Sequence, residues 1–327
     1  MRRFIVSLLL LAAVLAACAA WWVNQPLMLR ESVIDLPIES GTPPRAVARL
    51  AVNAGVQTST LLLYGWFKVS GQARLIKAGN YELQGLVTPR SLLATLVKGD
   101  EALRYVTLVE GWTFKQVRTA LGKADQLLAQ TSGMSAAAIM QALGREGVAA
   151  EGRFYPDTYG YAKGTRDVDV LKRAMLAMDH HLDLAWHARS ADAVLKTPEQ
   201  LLILASIVEK ETGRASDRAM VSSVFHNRLA LGMALQTDPT VIYGMGDAFD
   251  GNLRRRDLQT DTPWNTYTRS GLPPTPIAMP GRAALLAAAQ PASSKALYFV
   301  ARGDGSSEFS DTLQAHNRAV NTYQRGQ

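Results

Sequence analysis

Two carboxylates at the end of one apolar helical run are the side chains best placed for chemistry. Thr197-Pro198-Glu199-Gln200 precedes the apolar stretch from Leu201 to Val208, and Glu209-Lys210-Glu211-Thr212 follows it. Thr197 as N-cap, Pro198 at the first helical position and Gln200 at N3 predict a helix start. At about 100° per residue, Leu201, Leu204, Ile207 and Val208 share a face, and Glu211 falls inside that stripe. Glu209 and Lys210 fall on the opposite side, so the expectation is that Glu211 alone is desolvated. Burial raises a carboxyl pKa and keeps the group protonated near neutral pH, as a general acid requires. The purely structural alternative is that Glu211 emerges at the helix end and pairs with Arg214 or Arg218.

Few other side chains offer chemistry. The five histidines are His180, His181, His187, His226 and His316. Adjacent His180 and His181 project about 100° apart on a helix, and no H-x-x-x-H or H-E-x-x-H spacing occurs, so no metal site is expected. No G-x-S-x-G elbow or G-x-G-x-x-G loop stands in a strand–helix context. What remains beside the carboxyl is a set of polar residues: Asn227, Gln236, Thr237, Asp238, Tyr243, Asn265, Thr266 and Tyr267. Amide and phenol side chains hydrogen-bond sugar hydroxyl and N-acetyl groups. One protonated carboxyl in such a cleft points to cleavage of a glycosidic bond, with no cofactor. For each of these residues the alternative is that it satisfies a turn or the core.

These residues need a scaffold, and 327 residues, 48% of them hydrophobic, are enough for two domains beyond an anchor. Thirty-five Lys and Arg against 28 Asp and Glu give a net charge of +7, which favours anionic surfaces without choosing among them. No nucleic-acid fingerprint is present, and Arg254-Arg255-Arg256 reads as a solvated loop. Arg2 and Arg3 precede an uncharged stretch from Phe4 to Val23, long enough to span a bilayer as a helix. The basic flank stays cytoplasmic by the positive-inside rule, which sends the rest across the membrane. The expected topology is a single pass with the body on the far side of the membrane. Leu15-Ala16-Ala17-Cys18 also resembles a lipobox, so a lipoprotein anchored through Cys18 is the alternative, as is a cleaved signal peptide. Cys18 is the only cysteine, which rules out an intrachain disulfide.

Along the body, Pro26 to about Gly41 reads as a stalk leading into an extended segment. A helix from Pro44 closed by Gly55, a second over 59–68, a strand near 78–83 and a helix over 92–98 follow. A strand at 104–109 and a helix over 114–121 come next. Residues 124–147 read as helical, 151–159 as an ordered loop, and 167–189 as a long helix. Ser216 is the expected cap of the helix after Glu211, with Gly232 at its C′ position. From Met233 onward glycine and proline predict cleft-shaping loops rather than helices. A strand at 296–300 and a final helix around His316 end the chain.

Several long motifs in fixed order carry a family resemblance. They are Ala205-Ser-Ile-Val-Glu-Lys-Glu-Thr, Val224-Phe-His-Asn-Arg-Leu, Leu235-Gln-Thr-Asp-Pro-Thr-Val-Ile-Tyr-Gly, and Asn265-Thr-Tyr followed by Gly271-Leu-Pro-Pro. Glu151-Gly with Pro156-Asp-Thr-Tyr, and Tyr298-Phe-Val with Phe309 and His316-Asn317, extend the match. The chain resembles the YceG-like (MltG) family of endolytic murein transglycosylases from about residue 30 onward, most strongly from Glu110.

The expected fold is α+β: a transmembrane anchor in residues 1–25, read from its apolar run, and then, as the resemblance implies, a small LysM-like glycan-binding module in 26–105 and a mixed α/β catalytic domain in 106–327 with the acid on a helix facing a loop-built cleft. The resemblance also places the anchor in the bacterial inner membrane and the body in the periplasm. It implies cleavage of the MurNAc-β-1,4-GlcNAc bond of peptidoglycan strands to leave 1,6-anhydroMurNAc ends, with peptidoglycan synthases as partners. The family's essential glutamate is the second of its E-K-E-T motif, which falls on Glu211. Asn227, Gln236, Asp238, Tyr243, Asn265 and Tyr267 are the expected substrate-binding residues. His226 and Trp264 depart from the family pattern, as does the lipobox-like Cys18. A hydrolytic muramidase and a non-catalytic peptidoglycan-binding scaffold remain as rivals.

Overall fold

The computed structural model, which describes residues 2–100, 102–191 and 193–326, opens with α1 (Arg2–Trp22). Phe4–Trp22 is long and apolar enough to cross a bilayer, and none of that window is buried in the protein. The side chains of Arg2 and Arg3, on which the expected orientation rests, lie outside the described residues. The chain divides into two compact units, Met1–Arg104 with Tyr161–Gly164, and Tyr105–Gly160 with Thr165–Gln327.

After α1, the first unit runs β1 (Met28–Leu29), β2 (Val33–Ile38), α2 (Pro44–Ala54), β3 (Val56–Gln57), α3 (Thr60–Val69), β4 (Gly79–Gln84) and α4 (Pro89–Lys98). Ile34, Leu36 and Ile38 turn inward on alternate positions of β2, the period of a strand with one buried face. β2 pairs antiparallel with β4 in a register that sets Leu36 opposite Tyr81 and Ile34 opposite Leu83. Against this ladder pack Val47, Ala48 and Ala51 of α2, Leu63 and Phe67 of α3, and Leu92 and Leu96 of α4. Thr88 and Ser91 cap α4 reciprocally, and left-handed Gly99 ends it. Pro26–Gly41 is therefore no stalk: Leu27 is buried and β1 pairs with β3.

The second region begins within β5 (Leu103–Thr107), followed by α5 (Phe114–Lys123), α6 (Ala136–Ala142), β6 (Thr158–Ala162), α7 (Asp167–His187), α8 (Pro198–Glu211) and α9 (Arg218–Ala230). Then come α10 (Asp238–Met245), α11 (Arg255–Gln259), α12 (Arg282–Ala289), β7 (Tyr298–Ala301), β8 (Ser307–Ser310) and α13 (Leu313–Val320). β5 pairs with β6, and β7 pairs antiparallel with β8. The core is built around α8, whose residues Leu201 to Val208 are all buried among side chains of α7, α9 and α12.

Further expectations are corrected. The apolar stripe on α8 is not one face of a surface helix, because apolar residues surround the helix, as they do when it crosses a core. Residues 124–147 hold helix only at α6: Gln126 adopts a left-handed φ of 56°, and Ser135 caps α6 well inside the segment. Ser216 does not cap α9; its hydroxyl donates to Asp217, the residue that precedes the helix. The glycine- and proline-rich stretch after Met233 contains α10, α11 and α12, since Pro239 occupies a first-turn position where its missing N–H costs nothing. Arg255 and Arg256 accordingly open α11, and Arg254 pairs with Asp250 at 2.6 Å.

Gly152 meets the most severe backbone constraint near this core. It has φ +78°, and a Cβ there would stand 2.5 Å from Cβ of Pro276, a ring that cannot swing away. Gly271 has φ +83° but open space around it. Gly152→Ala is expected to cost about 2–4 kcal/mol of unfolding free energy, through both the left-handed backbone and overpacking. Gly271→Ala is expected to cost about 1 kcal/mol. Urea unfolding of the two variants beside the parent protein checks the difference; equal losses would remove Pro276 from the explanation.

Candidate active site

Glu211 is the last residue of α8, so its position follows from the burial of the preceding three turns. Its Oε1 accepts a hydrogen bond from the Thr237 hydroxyl. Neither Arg214 nor Arg218 takes the place of that partner; the Arg218 guanidinium lies 3.9 Å from Glu209 instead. Burial raises the Glu211 pKa, the Thr237 hydroxyl opposes that rise by favouring the carboxylate, and the nearby charge of Asp238 adds to it.

Thr237 is itself held through both its backbone groups. Its N–H donates to Thr266 Oγ1 at 3.1 Å, and its carbonyl accepts from Thr240 Oγ1 at 2.7 Å. Thr240 and Thr266 share a hydroxyl–hydroxyl bond of 2.9 Å. All three threonines are buried, so their polar atoms are satisfied by one another rather than by water. The local backbone is set by Gln236 at φ +53°, whose N–H donates to the Thr266 carbonyl. Thr237 then precedes Asp238 and Pro239 at the start of α10.

Asp238 accepts from the Tyr267 hydroxyl at 2.6 Å. Burial is the main cause that pushes the Tyr267 phenol up, and the charges of Asp238 and Glu211 push it the same way. Glu211, Thr237, Asp238 and Tyr267 thus form one group. Arg228, 7% exposed, holds the floor beside them, donating to the carbonyls of Leu297, Ala234 and Leu235 and, at 3.4 Å, to Gln236 Oε1. Gln236 is exposed.

The other expected residues are placed differently. Asn265 has no exposed surface; its amide donates to the Leu258 and Thr260 carbonyls and accepts from the Tyr267 N–H, so it shapes the loop that carries Tyr267. Asn227 spends its amide on the carbonyls of Ser294 and Ala296, both at 2.9 Å. Tyr243 donates to Glu151 at 3.1 Å and borders with it a cavity of about 440 Å³. His226 accepts from the Val194 N–H at Nδ1 and lies 2.9 Å from the Ala288 carbonyl at Nε2, an arrangement that requires the neutral ring; burial lowers its pKa accordingly.

Desolvation is not confined to Glu211. Burial raises the Glu209 pKa, although Gly281 N–H, the backbone donor preceding α12, bonds its Oε2 at 2.9 Å. Glu209 therefore ties the end of α8 to the start of α12, where a carboxylate is favoured. Glu151, 8% exposed, is pushed up to about 7 by burial, against the opposing bonds from Phe114 N–H and Tyr243. Sequence reasoning named Thr237 and Thr266 among the polar cleft residues but did not join them with Thr240 into one cluster. Part of its signal was present in Thr237-Asp-Pro-Thr240, a helix-start pattern.

The sequence pattern of the YceG-like family matches residues 36–322. An endolytic murein transglycosylase of Bacillus subtilis (strain 168) is 28% identical over 310 residues, covering 90% of this chain and 85% of the relative. One from Streptococcus pneumoniae (strain ATCC BAA-255 / R6) is 26% identical over 359 residues, covering 98% of this chain and 65% of the relative. A crystal structure of a yceG-like protein from Listeria monocytogenes is similar with a TM-score of 0.56 and 27% identity, over 88% of this chain and 98% of that one.

Two titrations test these environments. Thr237→Val removes the donor to Glu211 and is expected to raise the Glu211 pKa, whereas Asp238→Asn is expected to lower it. Carboxyl-carbon NMR of labelled protein reads both; shifts in the same direction would refute the arrangement. Glu151 has a folded-state pKa above its unfolded value, so its contribution to stability is full below pH 4.5 and is lost as pH rises through about 7. The parent protein should lose about 3 kcal/mol over that window relative to its stability at low pH, a loss that Glu151→Gln lacks. Urea unfolding across the window gives both curves, and parallel curves would contradict the assignment.

Proposed function

This chain belongs to the YceG-like family, and from that premise we propose that it is an endolytic lytic transglycosylase that cuts peptidoglycan glycan strands with Glu211 as its acid. The observation that carries the reading is the raised pKa of Glu211 at the end of a helix whose residues Leu201 to Val208 are all buried, beside a neutral donor and, among the described residues, no paired cation. Relatives named as endolytic murein transglycosylases, similar over most of this chain, support the substrate class.

In this reading Glu211 starts protonated. Its Oε1 accepts from Thr237, which leaves Oε2 to carry the proton toward the oxygen bridging MurNAc and GlcNAc. The bond from C1 to that oxygen breaks, and the oxygen keeps the electron pair and the proton. The carboxylate left behind is stabilised by the same Thr237 hydroxyl. It then takes the proton of the MurNAc C6 hydroxyl as that oxygen bonds to C1, which closes the 1,6-anhydro ring and restores the acid. One carboxyl serves twice, and no second carboxylate or water is needed. Asp238, held by Tyr267, biases Glu211 toward its protonated form. Exposed Gln236 and the Tyr267–Asp238 pair are the groups available to orient a sugar.

The first unit is read as a glycan-holding, LysM-like module, supported by its strand–helix–helix–strand run from β2 through α2 and α3 to β4. α1 is read as a single inner-membrane span that leaves both units in the periplasm, with the alternative of lipid on Cys18. Peptidoglycan synthases are the partners this placement favours.

Mass spectrometry of muropeptides released from purified glycan strands tests the reaction. The parent protein is expected to yield anhydro-ended products, and Glu211→Gln to yield at least about 100-fold less. Reducing ends from the parent would make it a hydrolase, and undiminished product from Glu211→Gln would remove the acid.

A further inference from the structure

α3 is apolar on opposite faces. Leu63 and Phe67, one turn apart, enter the core of the first unit, whereas Leu61 and Val69 on another side are 68% and 84% exposed and Leu62 is 55% exposed. Lys68 is its one charged residue. An outward apolar face on a short helix calls for a covering, and the covering is indicated by what stands beside it. The last two turns of α1, from Ala16 to Trp22, and the Leu61, Leu62, Trp66 and Val69 side of α3 line one groove of about 800 Å³. Arg90 is the charged residue at its wall.

The junction between α1 and this unit is tied down. Val23 is buried and its carbonyl accepts from Arg90 N–H at 3.1 Å; Leu27 N–H donates to the Val87 carbonyl at 2.7 Å; the Asn24 amide closes the end of α1 on the Ala20 carbonyl. The apolar window of α1 holds 19 residues, or about 28 Å of helix, close to the roughly 30 Å of a bilayer's hydrocarbon core. Ala16 thus sits roughly 9 Å inside the far end of the span. Any element sharing a groove with residues 16–22 lies at the boundary between acyl chains and headgroups.

We propose that α3 is an interfacial membrane element, and that its outward face and the groove beside α1 are filled by phospholipid acyl chains of the leaflet facing this unit. The inference rests on reading α1 as a membrane span. Trp66 supports it, because its indole N–H is already satisfied by the Pro89 carbonyl at 3.0 Å, so its ring can lie against lipid. Trp21, 67% exposed, stands on the other wall at the same depth. Arg90 and Lys68 are the cations available to headgroup phosphates. The consequence is orientational: two attachments to the bilayer, a span and a flat helix, fix the tilt of the first unit, where one span alone would let it swivel.

The test uses the full chain in the Cys18→Ser background, in nanodiscs of phosphatidylethanolamine and phosphatidylglycerol. An environment-sensitive dye is placed in turn on Leu10→Cys in the span, Leu62→Cys on α3 and Leu231→Cys, 65% exposed beyond α9. Spin-labelled lipids of shallow and deep position serve as quenchers. The expected result is deep quenching at 10, shallow quenching at 62 at least about threefold above that at 231, and none beyond background at 231. Quenching at 10 with position 62 matching 231 would overturn the proposal and leave the anchor intact. No quenching at 10 would overturn the anchor reading and this proposal with it. Adding Leu61→Asp and Val69→Asp is expected to return position 62 to water; persistent quenching there would mean that the dye, not the helix, seeks lipid.

Discussion

The second unit depends on one constraint: α8 must be surrounded by apolar side chains for eight consecutive residues and then end in polar ones. A helix buried on every side cannot shed its last carbonyls and side chains into the core, so its terminus has to meet a surface or be met by partners. Here it does both. Glu209 is met by the backbone at the start of α12 and by Arg218, and Lys210 reaches the Gly111 carbonyl. Among the described residues, Glu211 takes its hydrogen bond from the Thr237 hydroxyl and pairs with no cation. Two glutamates two residues apart are both desolvated, but Glu209 is tied to a backbone N–H and a guanidinium where Glu211 is not.

The same logic explains why the threonines matter. A buried carboxyl with a cationic neighbour would ionise and stop being an acid; one with no neighbour would be poorly oriented. Neutral hydroxyl donors avoid both outcomes. Thr237 aims at Glu211, and the hydroxyls of Thr240 and Thr266 fix Thr237 by bonding its carbonyl and N–H and each other. The proline after Asp238 and the left-handed Gln236 set the backbone on which this depends.

Much of this was legible in the sequence where local rules act alone. The start of α8 at Thr197-Pro198 and the closing of α9 near Gly232 follow from backbone groups that any helix end leaves unsatisfied. The desolvation of Glu211 was legible too, although by an argument that the fold revises: the stripe that contains it belongs to a helix whose middle, Leu201 to Val208, is buried all round. What could not be read was long-range. The partners of Glu209 lie in α9 and before α12, and those of Glu151 lie 37 and 92 residues away. Asn265 and Asn227 look like sugar ligands because amides suit sugars equally well as they suit backbone carbonyls. Only the fold shows their amides spent on the chain itself. Residues 124–147 misled because alanine and glutamine favour helix individually, whereas Ser132-Gly133 and the turn at Gln126 interrupt it.

Glu211 is oriented by an uncharged hydroxyl network rather than by an ion pair, and this bears on how it responds to the surrounding medium. Mobile ions screen interactions between exposed charges within about 10 Å at 0.1 M. They have little hold on a short bond between a buried hydroxyl and a carboxyl. The chain's net positive charge, by contrast, lies within reach of that screening. Changes in ionic strength would therefore tune how closely the protein associates with anionic surfaces while leaving the orientation of Glu211 almost untouched. The two would respond separately to salt, a separation that a salt-bridged carboxyl would not provide.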